Sequence, residues 1–488
     1  MAMSVMIQGT CSNAGKSIIA AGLCRIFLED GYSVAPFKSQ NMALNSFVTH
    51  DNLEMGRAQV TQAYACGVRP DVKMNPVLLK PSSDTGCQVI VKGKPIGTMH
   101  FKEYSAKRNE LIPVIKECYD DLNRKNDIIV IEGAGSPAEI NLKREGIVNM
   151  FIAKMAKAPV LIVGDIDRGG VFASFIGTYM LLDKSEKRIT KGFIINKFRG
   201  DPSLLEPAIN FTEKKTGKNI YGVIPYLTDI RIPDEDSVDF KINIGKNKYD
   251  PGKDINIALI DLPHISNFTD FDPFYNEKDV NFYIVNHHDK TINADIVILP
   301  GSKNVMDDLH YLKKSGFDKV IIDLSKKQKM IVGICGGYQM LGNVIEDPYE
   351  IESASGYVEG LKLLSLRTVL EKEKSLEQTE ATCIGVDIDL TGYEIHHGKT
   401  ESNEEPFLIT NKKDVIGVKK GYIWGTYLHG IFDNYKFRRY IINIIREQKK
   451  LKPLPAENSY NLDREISKLA DVLRKSLAID KIYKIMGL

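Results

Sequence analysis

The most constraining feature of this 488-residue chain is a glycine-containing loop between an apolar strand and a helix, close to the amino terminus. VMIQGT has the pattern of a strand, GTCSNAGKS spans residues 9–17, and a helical pattern runs from Lys16 to about Asp30. Glycines let backbone N–H groups approach phosphate oxygens, and a helix amino terminus favours negative charge. The arrangement therefore predicts a phosphate-binding loop after the first strand of a parallel sheet.

The residue types in this loop predict how it would hold a nucleotide. Lys16 would neutralise charge on the β- and γ-phosphates, and the Ser17 hydroxyl would ligate Mg²⁺. The loop is one residue longer than the common phosphate loop, so it resembles the variant loop of dethiobiotin synthetase and its relatives. We expect the nucleotide to contact Gly9, Thr10, Asn13, Gly15, Lys16 and Ser17.

Polar side chains follow other predicted strands, at the edge where an open parallel sheet gathers its ligands. Lys38 ends VAPFKS and could meet the γ-phosphate, whereas Glu132 ends IIVIE and could hold Mg²⁺ directly or through water. Asp165 and Asp167 follow the next strand, and Asn196 follows a further one, at a position where related ATPases read adenine. Together with the loop, these residues predict that the amino-terminal half binds ATP with Mg²⁺.

A second group of catalytic residue types lies in the carboxy-terminal half. MIVGICGGYQMLG (330–342) has the form of an apolar strand, a sharp turn with Cys335, and a helix. Such an elbow projects a nucleophile into a cleft, and flanking glycines permit the tight backbone. His429 in GTYLHGIFDN is the candidate base. Backbone N–H groups near Gly301, together with that of Gly336, could stabilise an oxyanion.

These residues resemble those of class I (triad-type) glutamine amidotransferases, which implies that Cys335 and His429 hydrolyse glutamine. One position departs from that family, because the usual glutamate two residues after the histidine is Ile431 here. Asp433 or Glu394 could orient the imidazole instead, or the site could work as a cysteine–histidine dyad. The sequence leaves this choice open.

The alternation of strands and helices predicts an α/β protein with two sheet domains. We expect a phosphate-loop, dethiobiotin-synthetase-like parallel-sheet domain at residues 1–235, acting as the amide synthetase, and a polar linker at 236–253. A class I glutamine amidotransferase-like α/β domain would follow at 254–440, and an amphipathic helical tail at 441–488. The tail is expected to pack on the glutaminase domain, or else to serve a subunit interface. The oligomeric state is open.

Composition narrows the classes of partner. Sixty-five lysines and arginines face sixty-three acidic residues, so bulk charge gives no reason to expect nucleic acid or a membrane surface. No apolar run reaches the roughly 18 residues of a membrane span, and the amino terminus does not resemble a signal peptide. The seven scattered cysteines lack zinc spacing and predict free thiols in a reducing compartment, the cytoplasm.

Longer segments carry a more specific resemblance. A dethiobiotin-synthetase-like half joined to a glutaminase without the usual glutamate is similar to the corrinoid amidotransferases of cobalamin biosynthesis. Several segments resemble the cobyric acid synthase family in particular. They include FKSQNMALNS (37–46), LEMGRAQVTQAYACGVRP (53–70), LPHISNFTDFDPF (262–274) and GYEIHHGKT (392–400). The resemblance runs in one order over nearly the whole chain.

That resemblance implies ATP- and glutamine-dependent amidation of the b, d, e and g carboxylates of (adenosyl)cobyrinic acid a,c-diamide. The small-molecule partners would be glutamine, ATP and the corrinoid, with ATP and Mg²⁺ as cofactors. Amide, hydroxyl and cationic side chains of the family-specific segments would contact the corrinoid, namely Gln40, Asn41, Asn45, Arg57, Gln59, Lys80 and Ser82. Glu54 could be a second Mg²⁺ ligand.

Two alternatives remain at the level of sequence. Cobyrinic acid a,c-diamide synthase joins the same two kinds of site, and only QNMALNS and EMGRAQ separate it from the first interpretation. A MinD-like switch ATPase belongs to another class and would act by nucleotide-dependent dimerisation. Such a switch would need no glutaminase, so exchange of Cys335 for serine would leave its function intact.

Overall fold

The structure is a computed structural model that describes residues 2–81, 86–141, 146–233, 248–353, 355–458 and 460–488. The chain divides into two compact units. The first unit consists of residues 1–43, 55–235 and 461–488, and the second of residues 44–54 and 236–460. The amino-terminal part of the chain therefore contributes a short segment to the second unit, and the last helices return to the first.

Strands and helices alternate in the amino-terminal part, as the sequence predicts. Up to residue 233 the strands are β1 (Met3–Gly9), β2 (Val34–Phe37), β3 (Gln40–Met42), β4 (Ser46–Val48), β5 (Glu54–Gly56), β6 (Val77–Pro81), β7 (Gly86–Val91), β8 (Lys94–His100), β9 (Ile128–Glu132), β10 (Val160–Asp165), β11 (Thr190–Phe198) and β12 (Asn219–Pro225). The helices there are α1 (Lys16–Glu29), α2 (Arg57–Ala65), α3 (Phe101–Lys125), α4 (Met150–Met155), α5 (Val171–Met180), α6 (Lys184–Ile189) and α7 (Glu206–Thr216).

The core of the first unit is a parallel sheet with the strand order β12–β11–β10–β1–β9–β2. β9 and β10 are buried along their whole length, as expected when helices cover both faces of a parallel sheet. The carboxyl ends of these strands lie at one edge and bring together Gly9, Glu132, Asp165 and Asn196. The predicted parallel α/β fold is confirmed.

The carboxy-terminal part has its own strands and helices. The strands are β13 (Ile255–Ile260), β14 (Ile265–Ser266), β15 (Val280–Val285), β16 (Ile296–Leu299), β17 (Gly301–Ser302), β18 (Met330–Ile334), β19 (Val344–Glu346), β20 (Tyr357–Glu359), β21 (Leu366–Cys383), β22 (Ile388–Ser402), β23 (Glu405–Thr410), β24 (Val415–Lys420) and β25 (Ile423–Thr426). The helices are α8 (Val305–Lys314), α9 (Phe317–Lys326), α10 (Gly336–Met340), α11 (Tyr435–Gln448), α12 (Leu462–Ser476) and α13 (Ile479–Met486), and Phe268–Asn276 forms a 3₁₀ helix.

The second unit is built around parallel neighbours in the order β15–β13–β16–β18–β25. The sheet continues through antiparallel strands β24 and β23. β13 and β18 are buried throughout and form the apolar centre. Since β18 and β25 are parallel, the residues that follow them leave the sheet at the same edge, and the Cys335 N–H donates to the Thr426 carbonyl at 2.8 Å. The second predicted α/β domain is confirmed.

The expectation that the tail, residues 441–488, packs on the glutaminase domain is wrong for the last two helices, which pack on the first unit, whereas residues 441–460 belong to the second. Leu469 and Leu473 of α12 belong to the same buried apolar cluster as Leu23 of α1. A Cβ added at Gly22 would lie 2.3 Å from Leu473 Cδ1, so glycine permits this close approach. An amphipathic pattern reveals an apolar face but not the surface that it covers, which explains the error.

Two predictions from composition can be compared with the structure. The seven cysteines are free thiols, as their spacing indicates. Within the described part of the chain, none of the helices has both the length and the apolar character that a membrane crossing needs.

Candidate active sites

The loop between β1 and α1 has a tight backbone. Asn13 (φ +60°) and Gly15 (φ +99°) adopt left-handed conformations, and Gly15 directly precedes α1. A Cβ added at Gly15 would lie 2.0 Å from Asn196 Nδ2, so a larger residue would not fit. Lys16 is buried, and its Nζ donates to the Cys11 carbonyl at 3.0 Å. The lysine is therefore enclosed by the turn that would receive the phosphates.

Glu132 is the centre of a buried polar network in the first unit. Its Oε1 accepts hydrogen bonds from Ser17 Oγ at 2.7 Å and from Lys38 Nζ at 2.8 Å. Its Oε2 accepts from the side-chain amides of Gln62 at 2.6 Å and Gln59 at 3.3 Å. A buried carboxylate needs such donors, and together they fix its position. The structure thus brings together Ser17, Lys38, Gln59 and Glu132, which the sequence predicts separately, and adds Gln62, which the sequence does not predict as a site residue.

The residues that end β11 contact the same loop. Asn196 Nδ2 donates to the Ala14 carbonyl at 2.9 Å. Lys197 Nζ donates to the Asn13 carbonyl at 2.8 Å and lies 3.1 Å from Asp165 Oδ2. Asp165 and Asn196 therefore lie at the phosphate loop, where the order of parallel strands predicts them.

Cys335 occupies a strained turn between β18 and α10. Its φ of +49° and ψ of −106° are rarely adopted by residues that carry a side chain. The residue is 6% exposed, and Sγ lies 3.8 Å from the Ile395 carbonyl oxygen. A Cβ added at Gly337 would lie 2.0 Å from the Leu299 carbonyl oxygen, so only glycine lets the start of α10 pack onto β16. These features are those of a nucleophile elbow.

His429 is buried between Asp270 and Cys335. His429 Nδ1 lies 2.6 Å from Asp270 Oδ2, and the Gly430 N–H donates to Asp270 Oδ1 at 3.1 Å. Burial lowers the pKa of His429, but the Asp270 carboxylate and Cys335 outweigh it and raise this pKa to about 10. Both neighbours of the imidazole therefore favour its protonated form.

Asp270 is the carboxylate that the sequence left unidentified. It lies in the 3₁₀ helix Phe268–Asn276, 159 residues before His429. Glu394, one sequence candidate, accepts from Thr379 Oγ1 at 2.9 Å and lies 3.3 Å from His396 Nε2. The other candidate, Asp433, ends a short 3₁₀ helix. No spacing rule relative to the histidine could have identified Asp270, because only the folded chain brings the two together.

The two glycines predicted near an oxyanion both lie at this pair. A Cβ added at Gly301 would lie 3.3 Å from His429 Cε1, and one added at Gly336 would lie 2.8 Å from the Ser302 nitrogen. Gly301 and Ser302 form β17, which pairs with β14. Both glycines therefore lie close to the residues around Cys335 and His429, as the predicted oxyanion role requires.

Gln339 and Tyr427 add polar groups that the sequence analysis did not select. Gln339 follows Cys335 by one helical turn, and its Nε2 donates to Tyr427 OH at 3.2 Å. The Tyr427 ring stacks on His396 with 3.7 Å between centroids. Gln339 Oε1 is buried and has no hydrogen-bond partner among the residues that the structure describes. Such an acceptor is suited to a donor on a bound molecule.

Comparison with known proteins gives the family. Residues 5–239 match the CobQ/CobB/MinD/ParA nucleotide binding domain, and residues 256–437 match the CobB/CobQ-like glutamine amidotransferase domain. The chain is 47% identical to the cobyric acid synthase of Caldanaerobacter subterraneus subsp. tengcongensis, over 100% of this chain and 99% of that protein. The chain belongs to the cobyric acid synthase family.

Two further relatives agree with this family. The cobyric acid synthase of Clostridium acetobutylicum is 47% identical over 99% of each chain. The adenosylcobalamin biosynthesis bifunctional protein CobDQ of Leptospira interrogans is 48% identical over 99% of this chain, which spans only 57% of that protein. As a cobyric acid synthase family member with both domains, the protein is an enzyme, a glutamine-dependent amidating ligase that uses ATP.

Within this member of the cobyric acid synthase family, several predicted corrinoid contacts lie in the first unit. Gln40 Oε1 accepts a hydrogen bond from Tyr104 OH, and Asn41 Nδ2 donates to Gln59 Oε1 at 2.9 Å. Gln59 in turn contacts Glu132, so this group adjoins the phosphate loop. Of the remaining predicted residues in this unit, Lys80 is buried and Arg57 is half-buried, whereas Ser82 lies outside the described residues.

Asn45 and Glu54 belong to the second unit. Asn45 Oδ1 accepts from Thr269 Oγ1 at 3.2 Å. Glu54 forms an ion pair with Lys374 at 2.6 Å, and both side chains are almost fully buried. Glu54, proposed from sequence as a second metal ligand, is therefore held by a lysine of the second unit, whereas the other candidate ligands belong to the first.

Proposed function

We propose that this protein uses ATP and glutamine to amidate the b, d, e and g carboxylates of (adenosyl)cobyrinic acid a,c-diamide, giving (adenosyl)cobyric acid. The buried arrangement of Cys335, His429 and Asp270 supports this proposal most directly. The first unit carries a phosphate loop with its buried lysine and carboxylate. Similarity to cobyric acid synthases over the whole chain supports the choice of corrinoid.

Glutamine hydrolysis would begin when the Cys335 sulfur attacks the side-chain amide carbon of glutamine. Backbone N–H groups near Gly301 and Gly336 would stabilise the resulting oxyanion. His429 would give its proton to the departing nitrogen, so that ammonia leaves and a glutamyl thioester remains. Water, deprotonated by His429, would then release glutamate. Asp270 would keep the proton on Nδ1 and hold the ring in position.

Gln339 would contribute to the binding of glutamine. Its buried Oε1 can accept a hydrogen bond from the ammonium group of the substrate, and Tyr427 holds the amide in that orientation. This contact would favour glutamine over amides that lack a main-chain ammonium group, because the acceptor would otherwise stay unpaired.

In the first unit, ATP would convert a corrinoid carboxylate into a reactive acyl group. A carboxylate oxygen would attack the γ-phosphorus, ADP would leave, and ammonia would then displace phosphate from the acyl carbon. Lys16 and Lys38 would offset the negative charge that these steps gather on the phosphate oxygens. Both ammonium groups are buried, so water screens their charge only weakly.

The residues around Glu132 fit Mg²⁺. Ser17 Oγ and Glu132 Oε1 are both oxygen donors and lie 2.7 Å apart, and Mg²⁺ prefers oxygen ligands together with substrate phosphates. Bound there, Mg²⁺ would neutralise phosphate charge. Lys38 and Gln62 hold the carboxylate in place for this role.

The test is to incubate the purified protein with ATP, Mg²⁺, glutamine and cobyrinic acid a,c-diamide, and to follow corrinoid mass and glutamate release. We expect stepwise mass losses of about one unit for each carboxylate converted to an amide, with glutamate and ADP formed in step. If the diamide is unchanged while cobyrinic acid is amidated, the protein is a cobyrinic acid a,c-diamide synthase. If neither corrinoid changes, the proposed substrate is wrong.

A further inference from the structure

Residues 44–54 complete the second unit, although the rest of that unit begins almost two hundred positions later at residue 236. They also lie outside residues 256–437, which match the glutamine amidotransferase domain. The segment turns back on itself through hydrogen bonds between Thr49 and Leu53. Within the second unit, its first residues contact Tyr393, which packs on His429, and the 3₁₀ helix that carries Asp270.

Three buried residues form a closed ring of hydrogen bonds, which we call the Ser46 ring: Ser46, Asn267 and Tyr393. The Ser46 N–H donates to Asn267 Oδ1 at 3.1 Å. Asn267 Nδ2 donates to Tyr393 OH at 3.3 Å, and Tyr393 OH donates to the Ser46 carbonyl at 3.1 Å. Each of the three residues is at most 3% exposed. Buried polar groups in such a ring hold one another in a single arrangement.

One side of the Ser46 ring leads to the imidazole. Tyr393 and His429 exchange backbone hydrogen bonds of 3.1 and 2.9 Å, which form an isolated antiparallel bridge. Their rings stack with 5.4 Å between centroids and 19° between planes. The Tyr393 ring therefore packs against the His429 ring and limits its movement.

The other side of the Ser46 ring leads to the carboxylate. Asn267 is the residue before the 3₁₀ helix that contains Asp270, and its carbonyl accepts from the Asp270 N–H at 3.0 Å. Asn267 has a left-handed backbone (φ +50°), a strained conformation for which the hydrogen bonds of its side chain compensate. Thr269 of the same helix donates to Asn45 Oδ1 at 3.2 Å. Residues 45 and 46 therefore hold the start of this helix at two points.

We propose that the Ser46 ring is a positioning device for the His429–Asp270 pair, so that a segment from the amino-terminal part of the chain completes the glutaminase. This inference rests on the proposed glutaminase function of the second unit. Both residues of this pair are reached from Ser46 through one intervening residue, His429 through Tyr393 and Asp270 through Asn267. The ring uses the backbone groups of Ser46, so the path of residues 44–54 matters more than the side chain at position 46.

The test uses variants that remove single contacts of the Ser46 ring. Tyr393→Phe removes the hydroxyl but keeps the aromatic ring beside His429, and Asn267→Ser shortens the side chain that joins the ring to the 3₁₀ helix. Tyr283→Phe is the matched control, because Tyr283 is equally buried in β15 and its hydroxyl donates to the Lys290 carbonyl at 3.4 Å, away from the Ser46 ring. All three are compared as full-length protein.

We expect Tyr393→Phe and Asn267→Ser to lower kcat for glutamine hydrolysis by about ten- to a hundredfold, because small misplacement of a proton-transfer group is costly. The KM for glutamine should stay within about twofold of wild type, since the groups that would bind glutamine are untouched, and the pH profile of kcat should shift. Amidation with ammonium salts should be unchanged. Tyr283→Phe should resemble wild type in every respect.

A second measurement separates this inference from the proposed function. In protein labelled with ¹⁵N-histidine, the Nδ1 proton of His429, assigned by its loss in His429→Gln, reports the hydrogen bond to Asp270 without any catalysis. We expect this resonance to move or broaden in Tyr393→Phe and to stay unchanged in Tyr283→Phe. An unchanged resonance with unchanged kcat and pH profile in Tyr393→Phe would overturn the positioning role. Absence of glutamine hydrolysis in wild type would instead overturn the proposed function, and the resonance would still decide the role of the ring.

Discussion

The two candidate sites of this molecule are assembled in different ways. The phosphate loop lies within residues 9–17, and its binding groups are largely backbone N–H groups held by a glycine in a left-handed conformation. The glutaminase site instead needs a thiol, an imidazole and a carboxylate at positions 335, 429 and 270, with residues 45 and 46 behind them. The phosphate loop itself is therefore encoded locally, although Lys38 and Glu132 reach it from other strands, whereas the glutaminase site has no comparable local segment.

The two sites should therefore differ in which substitutions abolish their activity. The ATP site should lose function when residues of the loop change or when Lys38 and Glu132, which contact it directly or through Ser17, change. The glutaminase site should also respond to residues that touch neither glutamine nor Cys335, because three distant segments must stay in register. Variants of the two sites can test this contrast directly.

The largest effect is expected from Cys335→Ser. Glutamine-dependent amidation should fall by about 10⁴-fold or more, because the nucleophile is lost. Amidation with ammonium salts should persist, since the phosphate loop is unchanged. Product formation with each nitrogen source is the measurement. The matched control is Cys383→Ser, which makes the same exchange at a buried thiol of β21 and should retain glutamine use. Equal loss with both nitrogen sources would show that the two sites are not separable in this way.

The next effect is expected from Lys16→Ala in the phosphate loop. Amidation should fall by about 10²- to 10³-fold with glutamine and with ammonium alike, because the lysine charge acts in phosphoryl transfer, whatever the source of nitrogen. ADP formation measured with each nitrogen source checks this. Lys73→Ala, which removes a half-exposed lysine paired with Asp121, should leave both rates near wild type. A loss confined to the glutamine-dependent reaction would contradict the assignment of the loop.

Much of both sites could be predicted from the sequence because strand ends and turns leave local patterns. The parallel order of β1, β9, β10 and β11 follows from buried apolar runs, and the residues at the ends of these runs then have to meet. Cys335 was recognisable because a nucleophile elbow requires glycines at fixed spacing. Gly301 is predictable because a Pro-Gly turn follows an apolar strand there.

Asp270 could not be predicted because nothing local distinguishes it from other carboxylates. It lies in a 3₁₀ helix whose sequence carries a family resemblance but no catalytic motif. Asp433 is close to the histidine along the chain, and Glu394 lies in another segment with a family resemblance, yet neither position decides which carboxylate meets the imidazole. A carboxylate can reach an imidazole from any part of a fold, so distance along the chain is a poor guide.

A smaller effect than that of Lys16→Ala is expected from Asp270→Asn. Glutamine hydrolysis should fall by about 10²-fold, because the imidazole loses the group that orients it and holds its proton. Since the Asp270 carboxylate raises the pKa of His429, this pKa should fall in the variant, and the imidazole should lose its proton at a lower pH than in wild type. Histidine NMR across the pH range measures this shift. Asp433→Asn should change neither the rate nor the pKa, and a loss as large as that of Asp270→Asn would restore Asp433 as the partner.

The smallest effect on glutamine hydrolysis is expected from substitutions where α12 packs on α1 in the first unit. The rate should change by less than about twofold, because substitutions far from a site usually act independently of it.

The same substitutions should change stability instead. Leu473→Ala alone should lower the free energy of unfolding by about 2–5 kcal/mol. Gly22→Ala adds a methyl group that would lie 2.3 Å from Leu473 Cδ1, so in wild type the gain in helix propensity should be lost to this clash. In the Leu473→Ala background the same change should be stabilising, by less than about 1 kcal/mol, because the closest contact is gone and only Leu469 Cγ, 3.1 Å from the added methyl group, has to adjust. Chemical denaturation of the four proteins measures this reversal, and additive effects would mean that α12 does not pack on Gly22 in solution.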